Sequence, residues 1–583
     1  MAMHDLPSEL LGMVFQNLAD ELDFKGLYRC SLVSRKLAPP ALKALYGIWG
    51  YPPFDTVHPA YSQCRSFRAA KLRTDQVFIL QRWINIWHSV SVSAESPGEG
   101  RTYLPYYEYI RILDLFDLGL LMQSRRDYAN NVSTPSLRSV SGGVERLDAT
   151  VEAFKDFEAK LIVIGTNILE KNSMIETMAC FGIPSKTLIA WIEKCFKLQV
   201  LHVCPRGLMS EDVGKTIHQH CPKFDSLDII RGTWDTLPGR PEIDTGGLLK
   251  ALRPNSLTKL RVHNANNKLH FGYEITTALE TQMRSLQMLI LYGLTTKDSI
   301  QAMSSLSGLP ALRELYLQDT TAIKWDNLNE VDQAITGFAN WIRRCKGLQG
   351  LHILDFLRID QLLCQVLINS TMHLRQLTVV GYRLSEFRGS LDVLQHHKSL
   401  DTLYIRGPGS QGSVGNDRLI TSLAQLSNLT YLDLPMISKY FTAEHVLRLT
   451  PYLPRLKQLR IDGAFDDSIW EALASLLNLK VLDMYGPSSF TADAVVNFIT
   501  VLGEGNRGFR LVIDSVFSKI DFPEATQDDI RGIMAAAVGG TFWVFSTQGM
   551  CSAASFYYRK ALGLQVLQAR LRFSRVGAHW LGY

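Results

Sequence analysis

Two short stretches of the 583-residue chain carry residue types at spacings that chemistry uses. His202, Cys204, His218, His220 and Cys221 lie close together, and imidazole and thiolate ligands at such intervals are what a tetrahedral zinc site is made from. Gly407-Pro408-Gly409-Ser410-Gln411-Gly412 follows an apolar run and has the letters of a dinucleotide-binding turn, where backbone N–H groups cradle a pyrophosphate. Both have a plainer reading. Cys195, Cys221 and Cys345 each stand three residues before the opening apolar residue of a recurring unit. Pro254, Met283, Leu309, Leu426, Leu453 and Leu476 fill the same place elsewhere, so cysteine serves there as a small core hydrophobe. Asp433 lies where a ribose contact belongs, yet it already occupies a strand position of the next unit, so the glycine loop reads as a connection. Walker A, His-Glu-x-x-His and nucleophile-elbow motifs are missing from the sequence. The expectation is no catalytic residue, no metal and no cofactor.

The element that places these residues is a repeat. The pattern apolar-x-x-apolar-x-apolar recurs eleven times, from Leu198/Leu201/Val203 to Leu479/Leu482/Met484. The mean period is about 28 residues, inside the roughly 20–29 window of leucine-rich repeats. A short strand points alternate side chains inward, so the second and third apolar positions share one core. Stretches such as Val331 to Cys345, Leu419 to Leu426 and Ile469 to Leu477 are apolar at helical spacing and read as return helices. One unit cannot bury its apolar edge alone, whereas a stack can. The expected fold class is therefore α/β: a solenoid over residues 195–515, with parallel strands on the concave face and helices on the convex face. Residues 51–194 read as a linker with irregular leading repeats, within which Ile110/Leu113/Leu115 fits the template. Phe509 to Ile513 reads as a degenerate last strand, and residues 516–583 as a cap or tail.

Composition narrows the function. Charged residues make up 20 % and apolar residues 46 %, and 61 Lys and Arg against 56 Asp and Glu leave a net charge of +5. That is an ordinary globular balance, without the concentrated basic face of a nucleic-acid binder. Nine scattered cysteines form no disulfide framework. No signal-peptide order opens the chain and no apolar run reaches the roughly 20 residues that span a bilayer, so the expected compartment is cytoplasm or nucleus, with no membrane and no nucleic acid as partner. The candidate substrate-binding residues are those the strands present on the concave face: Tyr292, Tyr316, His352, Tyr404, Arg406, Arg460 and Tyr485. Tyrosine and arginine are favoured binding anchors.

Residues 1–50 form a separate small domain. Leu10, Leu11, Val14, Phe15 and Leu18 share one helical face, a second helical pattern runs from Asp23 to Lys36, Pro39 and Pro40 break it, and Ala41 to Tyr46 starts again. Three short helices hold too little core to stand comfortably alone, so an apolar remainder points to a partner surface. This block resembles the F-box. Leu6, Pro7, Glu9, Leu10, Leu11, Phe15 and Leu18 match its opening pattern, and Asp23, Leu27, Cys30, Val33 and Ser34 follow its second half. Phe24, Arg35 and Leu37 depart from it. The segment Trp83 to Leu115 is similar to fungal members of the F-box group with leucine-rich repeats. The resemblance implies a substrate-recognition subunit of a Skp–cullin–F-box ubiquitin ligase, non-catalytic itself. Leu6, Pro7, Leu10, Leu11, Phe15, Leu27, Cys30 and Val33 would contact a Skp-family adaptor and, through it, a cullin, while the repeats hold an unknown protein substrate. The alternative is a leucine-rich-repeat interaction scaffold with no ubiquitin role, its helical start serving only as a cap.

Overall fold

The structure is a computed structural model. It describes residues 7–20, 23–34, 36–47, 85, 87–95, 104–115, 118–119, 145–181, 183–204, 210–231, 245–264, 273–292, 297–318, 328–356, 358–368, 372–382, 389–407, 415–514 and 522–545. The chain divides into two compact units: Met1–Asn266 with Thr277–Leu286, and Asn267–Thr276 with Gln287–Tyr583.

The first unit opens with α1 (Ser8–Asp20), α2 (Phe24–Val33) and α3 (Ala38–Gly47). Pro7 sits just ahead of α1, and its carbonyl accepts the Leu11 N–H at 3.0 Å. Asp23 caps α2, its carboxylate accepting the Gly26 N–H at 2.9 Å. Pro39 and Pro40 do not separate two helices, as the sequence reading has it. They lie in the first turn of α3, where a missing N–H costs nothing. Leu11, Phe15, Leu27, Leu37 and Ala41 close a small core among the three helices.

Five parallel strands follow in this unit: β1 (Ile112–Asp114), β2 (Thr177–Phe181), β3 (Val200–Cys204), β4 (Ser226–Arg231) and β5 (Lys259–Asn264). The second unit stacks ten: β6 (Met288–Tyr292), β7 (Glu314–Gln318), β8 (Gly350–Leu354), β9 (Gln376–Val380), β10 (Thr402–Arg406), β11 (Tyr431–Leu434), β12 (Gln458–Asp462), β13 (Val481–Tyr485), β14 (Arg510–Asp514) and β15 (Thr541–Phe545). Within each unit strand order is chain order, every pair is parallel, and helices alternate with strands. This is the α/β leucine-rich-repeat solenoid expected from the period.

Register explains the leucines. Leu289, Leu315, Leu351, Leu377, Leu403 and their successors are opposite one another from strand to strand and fully buried. Leu377, Val379 and Ile405 line a small cavity together with Leu363, Leu367 and Leu394 of the neighbouring helices. The second and fourth residues of each strand therefore face the helices, and the first, third and fifth face away.

The array is longer at both ends than the span 195–515. β1 and β2 precede it, with Ile175, Met178 and Cys180 filling the apolar places, and β15 follows β14 in register. The strand expected at Phe509–Ile513 is β14. Among the described residues no helix is long and apolar enough to cross a membrane.

Candidate functional sites

The N-terminal helices sort their apolar residues into two sets. Of the eight adaptor-contact candidates, Leu6 lies outside the described residues. Leu11, Phe15 and Leu27 are fully buried among α1, α2 and α3 and so serve the domain's own packing. Cys30 is half-buried, and burial, followed by the charge of Asp23, raises its thiol pKa. Pro7 is exposed, Leu10 is 45 % exposed and Val33 is 71 % exposed. Met13, Tyr28 and Leu32, which the sequence reading did not single out, join that outward set. Leu10 and Met13 are three apart on α1 and share a side, as do Tyr28 and Leu32, four apart on α2.

The strand face of the second unit carries the other candidates. Tyr316, His352, Tyr404 and Arg460 are third residues of their strands and stand in one row; Tyr292, Arg406 and Tyr485 are fifth residues in the next. Direction and exposure part company here. Tyr316, His352, Tyr404 and Arg460 were expected to be presented outward, yet all four are buried. For Tyr316, His352 and Arg460 the reason is lateral: each is spent on its neighbour across the ladder. The rings of Tyr316 and His352 stack with centroids 3.9 Å apart and planes 3° from parallel. His352 Nδ1 is 2.8 Å from Thr378 Oγ1, and the Tyr316 hydroxyl donates to Glu314 at 3.0 Å. Gly350 leaves the room this needs, since a Cβ there would stand 3.1 Å from His352 Nε2.

Further along, the row becomes ionic. Asp433, Arg460 and Asp483 are register partners on β11, β12 and β13. Arg460 Nε lies 2.7 Å from Asp483 Oδ2, and Arg460 Nη1 lies 3.4 Å from Asp433 Oδ2. The Tyr431 hydroxyl donates to Asp433 at 2.7 Å, and Arg510 reaches diagonally to Asp483 at 2.8 Å. Burial pushes the Asp433 carboxyl up to about 6, with Asp483 adding to the rise while Arg460 and Tyr431 oppose it. Burial, then the charge of Asp433, raises the Tyr404 hydroxyl well above its ordinary value.

A smaller version occupies the first unit. Asp228 is fully buried, with His202 Nδ1 at 2.6 Å and Arg261 Nη1 at 3.3 Å on the flanking strands. Burial works to raise the Asp228 carboxyl, but the charges of His202 and Arg261 hold it well below the ordinary range.

These pairings separate the residues that resembled a zinc set. His202 points to Asp228, His218 and His220 are exposed, and Cys221 Sγ is 3.4 Å from the Cys195 carbonyl. Burial raises the Cys195 and Cys221 thiols to about 12, so neither is a thiolate at neutral pH. Among the described residues no three His, Cys, Asp or Glu side chains are grouped to hold a metal ion. Residues 408–414, most of the glycine loop, lie outside the described residues. Gly407 itself is packed, since a Cβ there would meet the Tyr382 carbonyl at 2.8 Å.

The cysteine position has a second chemistry that the sequence reading missed. Asn172, His397 and Asn506 stand at the same place, three residues before the opening apolar residue of their units. Asn506 Nδ2 donates to the carbonyls of Leu476 and Leu479, at 3.1 and 2.9 Å. Asn172 Nδ2 does the same to Tyr107 and Ile110, and His397 Nε2 lies 2.8 Å from the Leu367 carbonyl. The place is a seam between successive units, sealed by a thiol, an amide or an imidazole that reaches back one repeat.

No family model matches the chain, and no curated protein does. Among solved structures the chain is similar to a leucine-rich-repeat protein of Leptospira interrogans, at 15 % identity and a TM-score of 0.34 over 64 % of this chain and 91 % of that one. It is also similar to a chain of the Rad7 and Elc1 complex of yeast, at 14 % identity and a TM-score of 0.29 over 62 % of this chain and 75 % of that one.

Proposed function

We propose that this protein is a substrate-recognition subunit of a Skp–cullin–F-box ubiquitin ligase. In this reading α1–α3 dock a Skp-family adaptor, the strand face of the repeats holds a protein substrate, and the transfer chemistry belongs to other subunits. The observation that carries it is the outward apolar set on two short helices. Leu10, Met13, Tyr28, Leu32 and Val33 stay between 45 % and 71 % exposed, while Leu11, Phe15 and Leu27 complete the domain's own core. A helical cap packed on its own repeats would have no use for that remainder; a docking helix pair would. The F-box resemblance of the same residues names the adaptor class.

The contribution to ubiquitin transfer is proximity. A substrate held on the repeats and an adaptor held by the helices raise the local concentration of substrate lysines near a charged conjugating enzyme. The pairing of Arg261 with Asp228 and of Arg460 with Asp433 and Asp483 bears on which substrate suits the strand face. Those two guanidiniums are already neutralised, which disfavours them as phosphate receptors.

Capture of the full-length protein by a purified Skp-family adaptor tests the reading. Leu10→Asp combined with Val33→Asp should abolish capture and leave the melting curve in place, because both residues are exposed. A wild-type protein that the adaptor fails to capture would leave only the alternative, a leucine-rich-repeat scaffold without a ubiquitin role.

A further inference from the structure

The near-neutral composition conceals a separation of sign within the second unit. Arg313, Arg375, Lys457 and Lys480 each precede their strand by one residue, and the backbone ladder begins with that row. The Gln349 N–H donates to the Arg313 carbonyl at 2.8 Å, and the Lys480 N–H to the Lys457 carbonyl at 2.7 Å. Two places ahead of the opening apolar residue stand Lys346, Lys398 and Arg507. Over the five residues that begin at the seam position, the units of β7 to β14 contain nine lysines and arginines against one acid, Asp401. Acids gather instead in the first turns of the helices, at Asp360, Asp392, Asp417, Glu444, Glu471 and Asp493. The edge where the chain leaves the helices for the strands is therefore basic, and the sum over the chain hides it.

The helix ends do not use up this charge. A helix C-terminus favours cations only within its last turn, and of those six helices only Ala443–Leu449, with Arg448, has a basic residue there. Some of the edge cations are engaged. Lys480 Nζ donates to the Arg507 carbonyl at 2.7 Å, Arg375 pairs with Asp401 at 3.0 Å, and Arg455 meets Asn428 Oδ1 at 2.9 Å. Arg313, Lys346, Lys398, Lys457 and Arg507 are exposed, and among the described residues no carboxylate pairs with them. Apolar surface lies among these cations. Leu477 takes the place that Lys346, Lys398 and Arg507 take elsewhere and is 68 % exposed, and Tyr452 is 54 % exposed. Asn478 donates to the Pro454 carbonyl at 3.2 Å, and Gly505 lies too close to the Leu477 carbonyl to carry a Cβ. Leu477 thus sits between the turn of Arg455 and the turn of Arg507.

We propose that this edge of the second unit docks an acidic protein segment with interleaved apolar side chains, its carboxylates on Arg455, Lys457 and Arg507 and an apolar side chain on Leu477. Unpaired exposed cations in successive repeats form a field that selects a negatively charged partner. A nucleic acid would bring the charge, but it would set a phosphate backbone against Leu477 and Tyr452, which gain nothing from it. A protein segment with both residue types satisfies the cations and covers the apolar surface together. The proposal takes from the proposed function only that the repeats hold a protein, and names the chemistry of what they hold. It does not depend on whether α1–α3 bind an adaptor.

Fluorescence anisotropy with the full-length protein tests it, the probe being a labelled peptide of glutamates with leucine at every third place. An all-glutamate peptide should bind several-fold more weakly, and a peptide with lysine in place of glutamate should not bind. Lys457→Glu with Arg507→Glu should weaken the glutamate–leucine peptide about tenfold or more, the product of a few-fold for each surface ion pair broken and reversed. Leu477→Ser should weaken the same peptide and leave the all-glutamate peptide unchanged. All three side chains are exposed, so melting curves should stay in place. Capture of these variants by a Skp-family adaptor should match the wild type, so that a failure of this proposal and a failure of the adaptor reading are told apart. Equal peptide binding by the wild type and the charge-reversed variant would overturn the proposal, as would no binding by either. So would tighter binding of an oligothymidylate that the same variant loses, because the edge would then serve a nucleic acid. A sedimentation coefficient that falls in the variant would also overturn it, because the occupant would then be a second copy.

Discussion

Arg460 Nε lies 2.7 Å from Asp483 Oδ2 on the neighbouring strand, and both side chains are under one-tenth exposed. With Asp433 on its other side, Arg460 is the only cation described between two buried carboxylates, for Arg510 serves Asp483 alone. Removing one partner of a buried pair leaves the other charge without compensation, a loss of about 3–5 kcal/mol. Arg460→Met keeps the stem and deletes the charge, so urea unfolding should show a destabilisation of that size. Adding Asp433→Asn to Arg460→Met should restore part of it. If the double variant is as unstable as the sum of the two single ones, the pair is not coupled as the distances indicate.

The two carboxylate ladders respond to pH in opposite senses. Asp433, pushed up to about 6 from an ordinary 3.8 chiefly by burial, keeps a proton in the folded state that the unfolded chain releases. Folding therefore binds protons between about pH 4 and 6, and Asp433 makes stability fall as pH rises through that window. Asp228 is depressed by His202 and Arg261, so its contribution is present above about pH 4 and is lost as pH falls below it. Melting temperatures across pH 3 to 7 should show Asp433→Asn flattening the fall between 4 and 6. Asp228→Asn should lower stability at neutral pH and soften the acid limb. A steeper fall in Asp433→Asn would contradict the assignment.

The repeat was legible because leucine recurs at places that face the helices, and a period of that kind is set by burial alone. β2 and β15 escaped because Met178, Cys180, Phe542 and Val544 fill those places, so the letters changed while the physics did not. The strand-face residues were legible in direction but not in exposure. Alternation fixes which way Tyr316, His352, Tyr404 and Arg460 point, whereas burial depends on partners one repeat away, such as Thr378 for His352 and Asp433 for Arg460. The N-terminal domain divided in the same manner. A helical face names Leu10, Leu11 and Phe15 together, and only the packing of α3 decides that Leu11 and Phe15 turn inward and Leu10 does not.

That division gives a pair of contrasting substitutions. Phe15→Ala removes a fully buried ring and should cost about 3–5 kcal/mol, melting the N-terminal helices and losing adaptor binding through unfolding. Val33→Asp and Leu10→Asp change only exposed side chains and should leave stability within about 0.5 kcal/mol. Far-UV dichroism melts of the full-length protein distinguish the two outcomes. A large loss of stability in Val33→Asp would mean that this side chain is covered by the protein itself and is no docking surface.

Asn506 gives the sharpest test of the seam between units. Leu426, Leu453 and Leu476 fill the same register position, so sequence alone makes Asn506→Leu look conservative. The structure says otherwise, because the Asn506 amide is the donor for the buried Leu476 and Leu479 carbonyls, and its Oδ1 accepts the Gly503 N–H at 3.2 Å. Leucine would leave those carbonyls without this donor, and a buried polar group left unsatisfied costs about 1–3 kcal/mol. The substituted side chain also has little freedom to move aside, since the neighbouring Gly505 already lies so close to the Leu477 carbonyl that a Cβ would come within 2.1 Å. Asn506→Leu should therefore destabilise by about 1–3 kcal/mol in urea unfolding, and hydrogen exchange should quicken at β14 and the helix Glu524–Val538 rather than at β6–β10. Unchanged stability would show that leucine is as good at this seam as asparagine, and that the carbonyls find other donors.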